Sequence, residues 1–158
     1  MDLQKFKMKK ERDFYQVSLK LLLKNNEGEI LALKGVDNGS FAGYYDLPGG
    51  RIDVDEFNTD FYEILKREAE EEIGNSDFKI NPKPVAIGRH LISGLLPLNK
   101  TGKDIHILNV IFVAEYFGED VKISDEHTDH KWLNLKEIEL EKYFISGILA
   151  GIKMYLGK

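Results

Sequence analysis

The sequence contains no cysteine, which excludes disulfides, thiolate metal sites and a cysteine nucleophile. It holds only four prolines in 158 residues, and no linker, repeat or low-complexity stretch interrupts it. No apolar run approaches the roughly 20 residues of a membrane span, so no membrane partner is expected. Positive charge is in deficit: 22 Lys and Arg stand against 27 Asp and Glu, a net charge of -5. A general nucleic-acid binder needs a basic surface for its phosphate contacts, and that class is set aside. Small phosphorylated substrates remain, because a divalent cation can carry the missing charge. Residues Met1 to Arg12 are basic but lack the apolar stretch of about 7–15 residues found in a secretory signal. They read as a flexible basic arm of a cytoplasmic protein.

The chain is 42% hydrophobic and 31% charged, the composition of an ordinary globular protein. Its length suits one domain, expected over residues 1–158, with a core of its own. Alternating apolar positions predict strands over 14–24 and 29–33, joined by the turn Asn25-Asn26-Glu27-Gly28. A short strand over 44–47 leads into Pro48-Gly49-Gly50, and further strands are expected over 85–92, 121–123 and 131–133. The run 105–117 is apolar on both faces and reads as a central strand. Residues 75–84 read as irregular, 135–140 as the start of a helical turn, and 142–156 as an amphipathic helix. Within that helix Gly147 and Gly151 are spaced for close packing. The elements together imply one α/β domain with helices on both faces of a mixed sheet. The long strand and the last helix can serve a homodimer interface or only the core.

One stretch carries more than fold. From Arg67 to Glu72 five of six residues are charged and four are acidic, and Gly74 follows as a C-terminal cap. Asp60, three residues before Glu63, marks the start, so the helix spans 61–73. Acids therefore crowd the end where the helix dipole disfavours negative charge. Glu68 and Glu72 are moreover a like-charged i,i+4 pair. Stepping about 100° per residue from Phe61 puts Glu72 and Glu68 within about 20° of the apolar stripe, with Glu71 beside them. Glu70 points away. Carboxylates near a buried face need compensation, and clustered oxygen ligands suit Mg²⁺ or Mn²⁺.

Leu47-Pro48-Gly49-Gly50, Glu56 and the run Arg67-Glu68-Ala69-x-Glu71-Glu72-x-Gly74 resemble the Nudix box, G-x5-E-x7-R-E-U-x-E-E-x-G-U with U apolar. Two departures stand out. Asn75 replaces the last apolar residue, and ten residues separate Glu56 from Arg67 instead of seven. Since Asp60 caps a helix of normal length, the insertion falls at Phe57-Asn58-Thr59. The resemblance implies an α/β/α sandwich and hydrolysis of a nucleoside diphosphate linked to another group, with Mg²⁺ or Mn²⁺ as cofactor. It implies Glu68, Glu71 and Glu72 as metal ligands, Glu56 paired with Arg67, and Gly50 at a close backbone approach. A non-catalytic nucleotide sensor of the same fold is the alternative. A diphosphate isomerase of that fold usually needs a cysteine, which this chain lacks.

Family members often recruit another acid from outside the box, and Glu126 is the candidate here, with Asp125 the alternative. A zinc pair of His127 and His130 is not favoured, and His90 and His106 read as ordinary strand residues. Arg51 and Tyr44 join Gly50 as candidates for substrate contact, with Phe41 and Tyr45 as other aromatics and Arg89, Lys100 and Lys103 as cations. Thr101-Gly102-Lys103 is no P-loop, because the upstream glycine is missing. No proline or tyrosine stands downstream at the spacing that marks the ADP-ribose or dinucleoside polyphosphate subfamilies. The base and the second group of the substrate stay open.

Overall fold

The computed structural model describes residues 10–158, so most of the expected basic arm lies outside the described residues. Among the described residues eight strands join in one mixed sheet: β1 (Tyr15–Lys24), β2 (Ile30–Gly35), β3 (Tyr45–Asp46), β4 (Gly49–Arg51), β5 (Phe78–Ile80), β6 (Ala86–Ile92), β7 (Ile105–Tyr116) and β8 (His127–Leu133). The main path runs β3-β2-β1-β7-β5, with β4 on β1, β6 on β7 and β8 on β2. β1 and β7 pair in parallel from Tyr15–His106 to Lys24–Glu115, and their neighbours pair antiparallel. β2 leaves β1 after the single pair Lys24–Ile30, and β4 takes up Ser18, Leu19 and Lys20 instead. The strands that part there line a cleft.

Two helices cover the two faces. α1 (Phe61–Ile73) packs Ile64, Leu65, Ala69 and Ile73 on Leu19, Leu21 and Leu23 of β1. α2 (Ser146–Leu156) packs Ile148 and Ile152 on Leu22, Ile111 and Ala86 of the opposite face. Each Leu or Ile fully buried this way stabilises by about 1.5–3 kcal/mol, enough in sum to tolerate a few costly polar groups. The two glycines of α2 do close-pack. Gly147 lies on the backbone of Gly88 and Arg89, and a methyl on Gly151 would meet the Ile111 side chain.

α1 has the bounds read from its caps. The Asp60 side chain accepts from the Tyr62 N–H at 2.8 Å, and Gly74, at φ 77°, donates to the Glu70 carbonyl. Asp60→Ala is expected to cost about 1 kcal/mol, read as a lower thermal midpoint with activity retained at low temperature.

Four local expectations need correction. Residues 78–80, expected irregular, form β5, because Phe78 and Ile80 alternate against β7. Residues 121–123 are not a strand; the Lys122 and Ser124 N–H groups instead cap the Ile73 and Glu72 carbonyls of α1 at 3.0 and 3.1 Å. The helical turn falls at 140–142, not 135–140. α2 starts at Ser146, not Lys142, because Ile145 is extended at φ -134°, ψ 168°.

Candidate active site

The end of α1, the turn between β3 and β4, and the loop before β8 meet at one edge of the sheet. Gly49 allows this contact. At φ 137° it brings its N–H to Glu72 Oε1 at 2.7 Å. Gly50 lies so close to the Glu68 carboxylate that any side chain there would collide with it. From the other side the caps at Lys122 and Ser124 tie the following loop to the helix end. That brings Glu126 and His127 beside Glu72, and ligand atoms of the three lie within 4.8 Å of one another.

Glu72 is 3% exposed. Burial pushes its carboxyl up from 4.5 to about 8, against the opposing pull of the Lys20 charge and the Gly49 N–H. Burial also pushes the Glu68 carboxyl up; Arg67 opposes this, and the Glu71 charge adds to it. Lys20 is buried as well and pairs with Asp46 at 2.7 Å. Burial pulls its ammonium down, but Asp46 and then Glu72 outweigh that and raise it. An unpaired charge here would cost several kcal/mol, so the pairing with Asp46 is a condition of the fold.

Arg67 ties the outer carboxylates together. Its Nη2 and Nε donate to Glu56 Oε1 at 2.7 and 3.1 Å, across the inserted residues. Nη1 lies 3.0 Å from Glu68 and 3.3 Å from Glu71. The Asp53 N–H above all, and then Arg67, hold the Glu56 carboxyl below its usual range. Glu68 and Glu71 therefore turn to Arg67 and stand outside the cluster of Glu72, Glu126 and His127. Glu70 faces away, bonded to Ser76 Oγ at 2.6 Å.

Two adjoining cavities open beside these groups. The outer, about 420 Å³, is lined by Glu126, His127, Arg51 and Lys100 among others. The inner, about 220 Å³, reaches Gly50, Lys20, His90 and Asn109. Ser40, Phe41, Asp46, Arg51 and Ile92 border both. Tyr44 borders neither; Phe41 is the aromatic of the cleft, stacked on His90 at 4.4 Å, and Tyr45 is core. Arg51 bonds Gln16 at 2.8 Å. Arg89 and Lys103 line neither cavity.

The NUDIX domain family model matches residues 14–148. The chain belongs to the NUDIX family. Among solved structures, the MutT protein from Methanosarcina mazei Go1 is 29% identical, covers 78% of this chain and 79% of its own, and gives a TM-score of 0.61. An ADP-ribose pyrophosphatase from Streptococcus suis 89-1591 covers 91% of both chains at 16% identity and a TM-score of 0.60. The NUDIX domain of Shewanella oneidensis NrtR, complexed with ADP ribose, covers 92% of this chain and 86% of its own at 14% identity and a TM-score of 0.60. These last two likenesses show the fold. No curated protein matches the sequence. With its family this protein is a pyrophosphohydrolase of nucleoside diphosphate derivatives.

The Nudix site also holds residues that sequence reasoning passed over. His127 had been set aside with His130 as a zinc pair, yet it joins Glu72, with Nε2 at 3.5 Å from Oε2. His130 lies elsewhere, by Tyr116 and Trp132. Lys20 and Asp46 were read only as strand positions. The signal for Lys20 was a charge in the row Leu19, Leu21, Leu22, Leu23 of a buried strand.

Proposed function

We propose that this Nudix protein hydrolyses the pyrophosphate linkage of a nucleoside triphosphate, nucleotide sugar or similar derivative, using Mg²⁺ or Mn²⁺ held by Glu68, Glu71 and Glu72. The observation that carries the reading is Glu72, a buried carboxyl pushed up to about 8 beside the Glu126 and His127 ligand atoms, within 4.8 Å of one another. The three named ligands are carboxylates, donors that Mg²⁺ or Mn²⁺ accepts; Glu72 already faces Glu126 and His127, and Glu68 and Glu71 would turn from Arg67 to join it. When bound, such an ion polarises a phosphoryl oxygen and acidifies the attacking water.

The chain's own groups do the rest. Glu126 takes the proton of the attacking water, with its carboxylate beside Glu72. Arg67 holds Glu56, Glu68 and Glu71 in one array at the helix end, which orders these side chains for the ion. Gly50 lets the Glu68 carboxylate lie against the backbone of the loop. Arg51, at the join of the cavities, meets the substrate's charge. Lysine cannot reproduce the Arg67 fork. Arg67→Lys is expected to lower kcat by about ten- to hundredfold in saturating metal, with the fold intact by circular dichroism.

The test is a panel of nucleoside triphosphates, nucleotide sugars, ADP-ribose and dinucleoside polyphosphates, incubated with Mg²⁺ or Mn²⁺ in ¹⁸O-water. The expected result is metal-dependent cleavage with one ¹⁸O in one phosphate product, which also names the phosphorus attacked. Ligand-induced thermal stabilisation without cleavage in either metal overturns the reading and marks a nucleotide sensor.

A further inference from the structure

The sheet face under α2 changes character along its length. At one end Leu22, Ile111 and Ala86 are buried against Ile148 and Ile152. Two and four residues along the same strands, on the same face, stand Lys20 and Ser18, Asn109 and Ile107, and Gly88 and His90, with Ile92 two residues further. α2 ends here, its first residue Ser146 bonded through Oγ to His90 Nδ1 at 3.0 Å. Beyond it this face is uncovered by helix and lines the inner cavity.

Asn109 is 2% exposed and its Nδ2 has no hydrogen-bond partner. Among the described residues one other buried side-chain nitrogen or oxygen is left so, Nδ1 of His127 in the outer cavity. Both unpartnered atoms thus belong to the cleft. A buried donor without a partner costs about 1–3 kcal/mol, and an apolar residue in the row Ile105, Ile107, Ile111, Val113 would avoid that cost. The buried charges of the inner cavity are already paired, and Arg51 stands where it joins the outer one. Lys20 Nζ holds Asp46 at 2.7 Å and the Leu47 carbonyl at 3.3 Å. His90 is held between Ser146 and Ser40. A phosphate placed there would face the Asp46 carboxylate and, past Gly50, that of Glu68. Phe41, Ile92 and Ile107 add apolar walls, which suit a flat, neutral group.

We infer that the inner cavity takes the substrate's nucleobase and that Asn109 sets the base preference by donating its amide N–H to a carbonyl oxygen or ring nitrogen of the base. This rests on the nucleotide-hydrolase reading and goes beyond it by naming the determinant of the base. A base so held leaves the diphosphate toward Arg51 and the outer cavity, beside Glu126 and His127.

The experiment is calorimetric titration of GMP, AMP, UMP and CMP into the full chain and into Asn109→Leu and Asn109→Asp, in chelator so that neither metal nor turnover contributes. The parent is expected to prefer one or two bases. Asn109→Leu weakens the preferred nucleotide by about tenfold or more and flattens the preference, with a melting temperature at or above the parent's. Asn109→Asp weakens it at least as far, because an acceptor then faces an acceptor. With the preferred substrate, the loss in kcat/KM falls mainly on KM. If leucine prevents folding, Asn109→Ser gives the same comparison with a shortened reach. Unchanged preference and affinity in the variants, or no binding of any of the four by the parent, overturns the inference. A failure of hydrolysis across the substrate panel strikes the catalytic reading instead, and this titration stays readable.

Discussion

Glu72→Gln is expected to lower turnover at least about a hundredfold, while the metal-free variant is as stable as the parent at pH 5 and more stable at pH 8. Both halves follow from one side chain. Glutamine keeps the acceptor for the Gly49 N–H, held at 2.7 Å in the parent, so the loop stays docked on α1. It removes the charge a cation needs. It also removes a burden, because the Glu72 carboxyl is raised from 4.5 to about 8 by burial. Between those values the folded protein keeps a proton that the unfolded chain has released. The favourable contribution of this group is therefore full below 4.5 and is lost as pH rises through about 8. The metal-free parent should lose thermal stability across that window, and the variant should lack that part of the slope. The gap at pH 8 is on the order of a few kcal/mol. Thermal unfolding in chelator between pH 5 and 9, beside turnover in Mg²⁺, measures both halves.

Gly49→Ala is expected to be the most destabilising of the single methyl additions, by about 3 kcal/mol or more. Its φ of 137° is one that alanine rarely adopts, and the added methyl would land on the Leu19 carbonyl, with the Lys20 Cα 3.0 Å away. These are backbone atoms of a central strand and cannot step aside. Gly28→Ala is the control. Its φ is 77°, but nothing lies within 4 Å of the added methyl, so the cost is the conformational one alone, about 1 kcal/mol. Chemical denaturation of both variants separates strain from collision. In Gly49→Ala the loss of activity should exceed the loss of folded protein, because the Gly49 N–H no longer meets Glu72.

The parts of the fold read from the sequence were those with a local chemical signature. α1 has both boundaries written as caps, Asp60 and Gly74, and β7 is an apolar run too long and too two-sided for an edge. β5 was missed because three residues, Phe78–Ile80, carry too little pattern to stand out beside Asn75 and Pro82. The start of α2 was misplaced because Phe144 and Ile145 keep helical spacing although Ile145 is extended. Phe144 is buried nonetheless, with 0% exposure. Within the site, the acids on α1 were legible as charge in the wrong place, and Glu126 was suggested only by the family resemblance. Their arrangement was not legible. The approach of His127 to Glu72 depends on backbone caps at Ser124 and Lys122 that no local pattern encodes. Asn109 was visible as one polar residue in an apolar row, but only the cavity beside it gives that break a meaning.

The central claim is that the carboxylates at the end of α1 form a cation site in which Glu72 is indispensable. Titration of Mn²⁺ into the metal-free protein, followed by electron paramagnetic resonance of the free ion, tests it most directly. Glu70→Gln serves as the control, because Glu70 bonds Ser76 on the far side of the helix. The account predicts that the parent and Glu70→Gln bind Mn²⁺ alike and that Glu72→Gln binds at least about tenfold more weakly. Equal Mn²⁺ affinity in the parent and Glu72→Gln would contradict it.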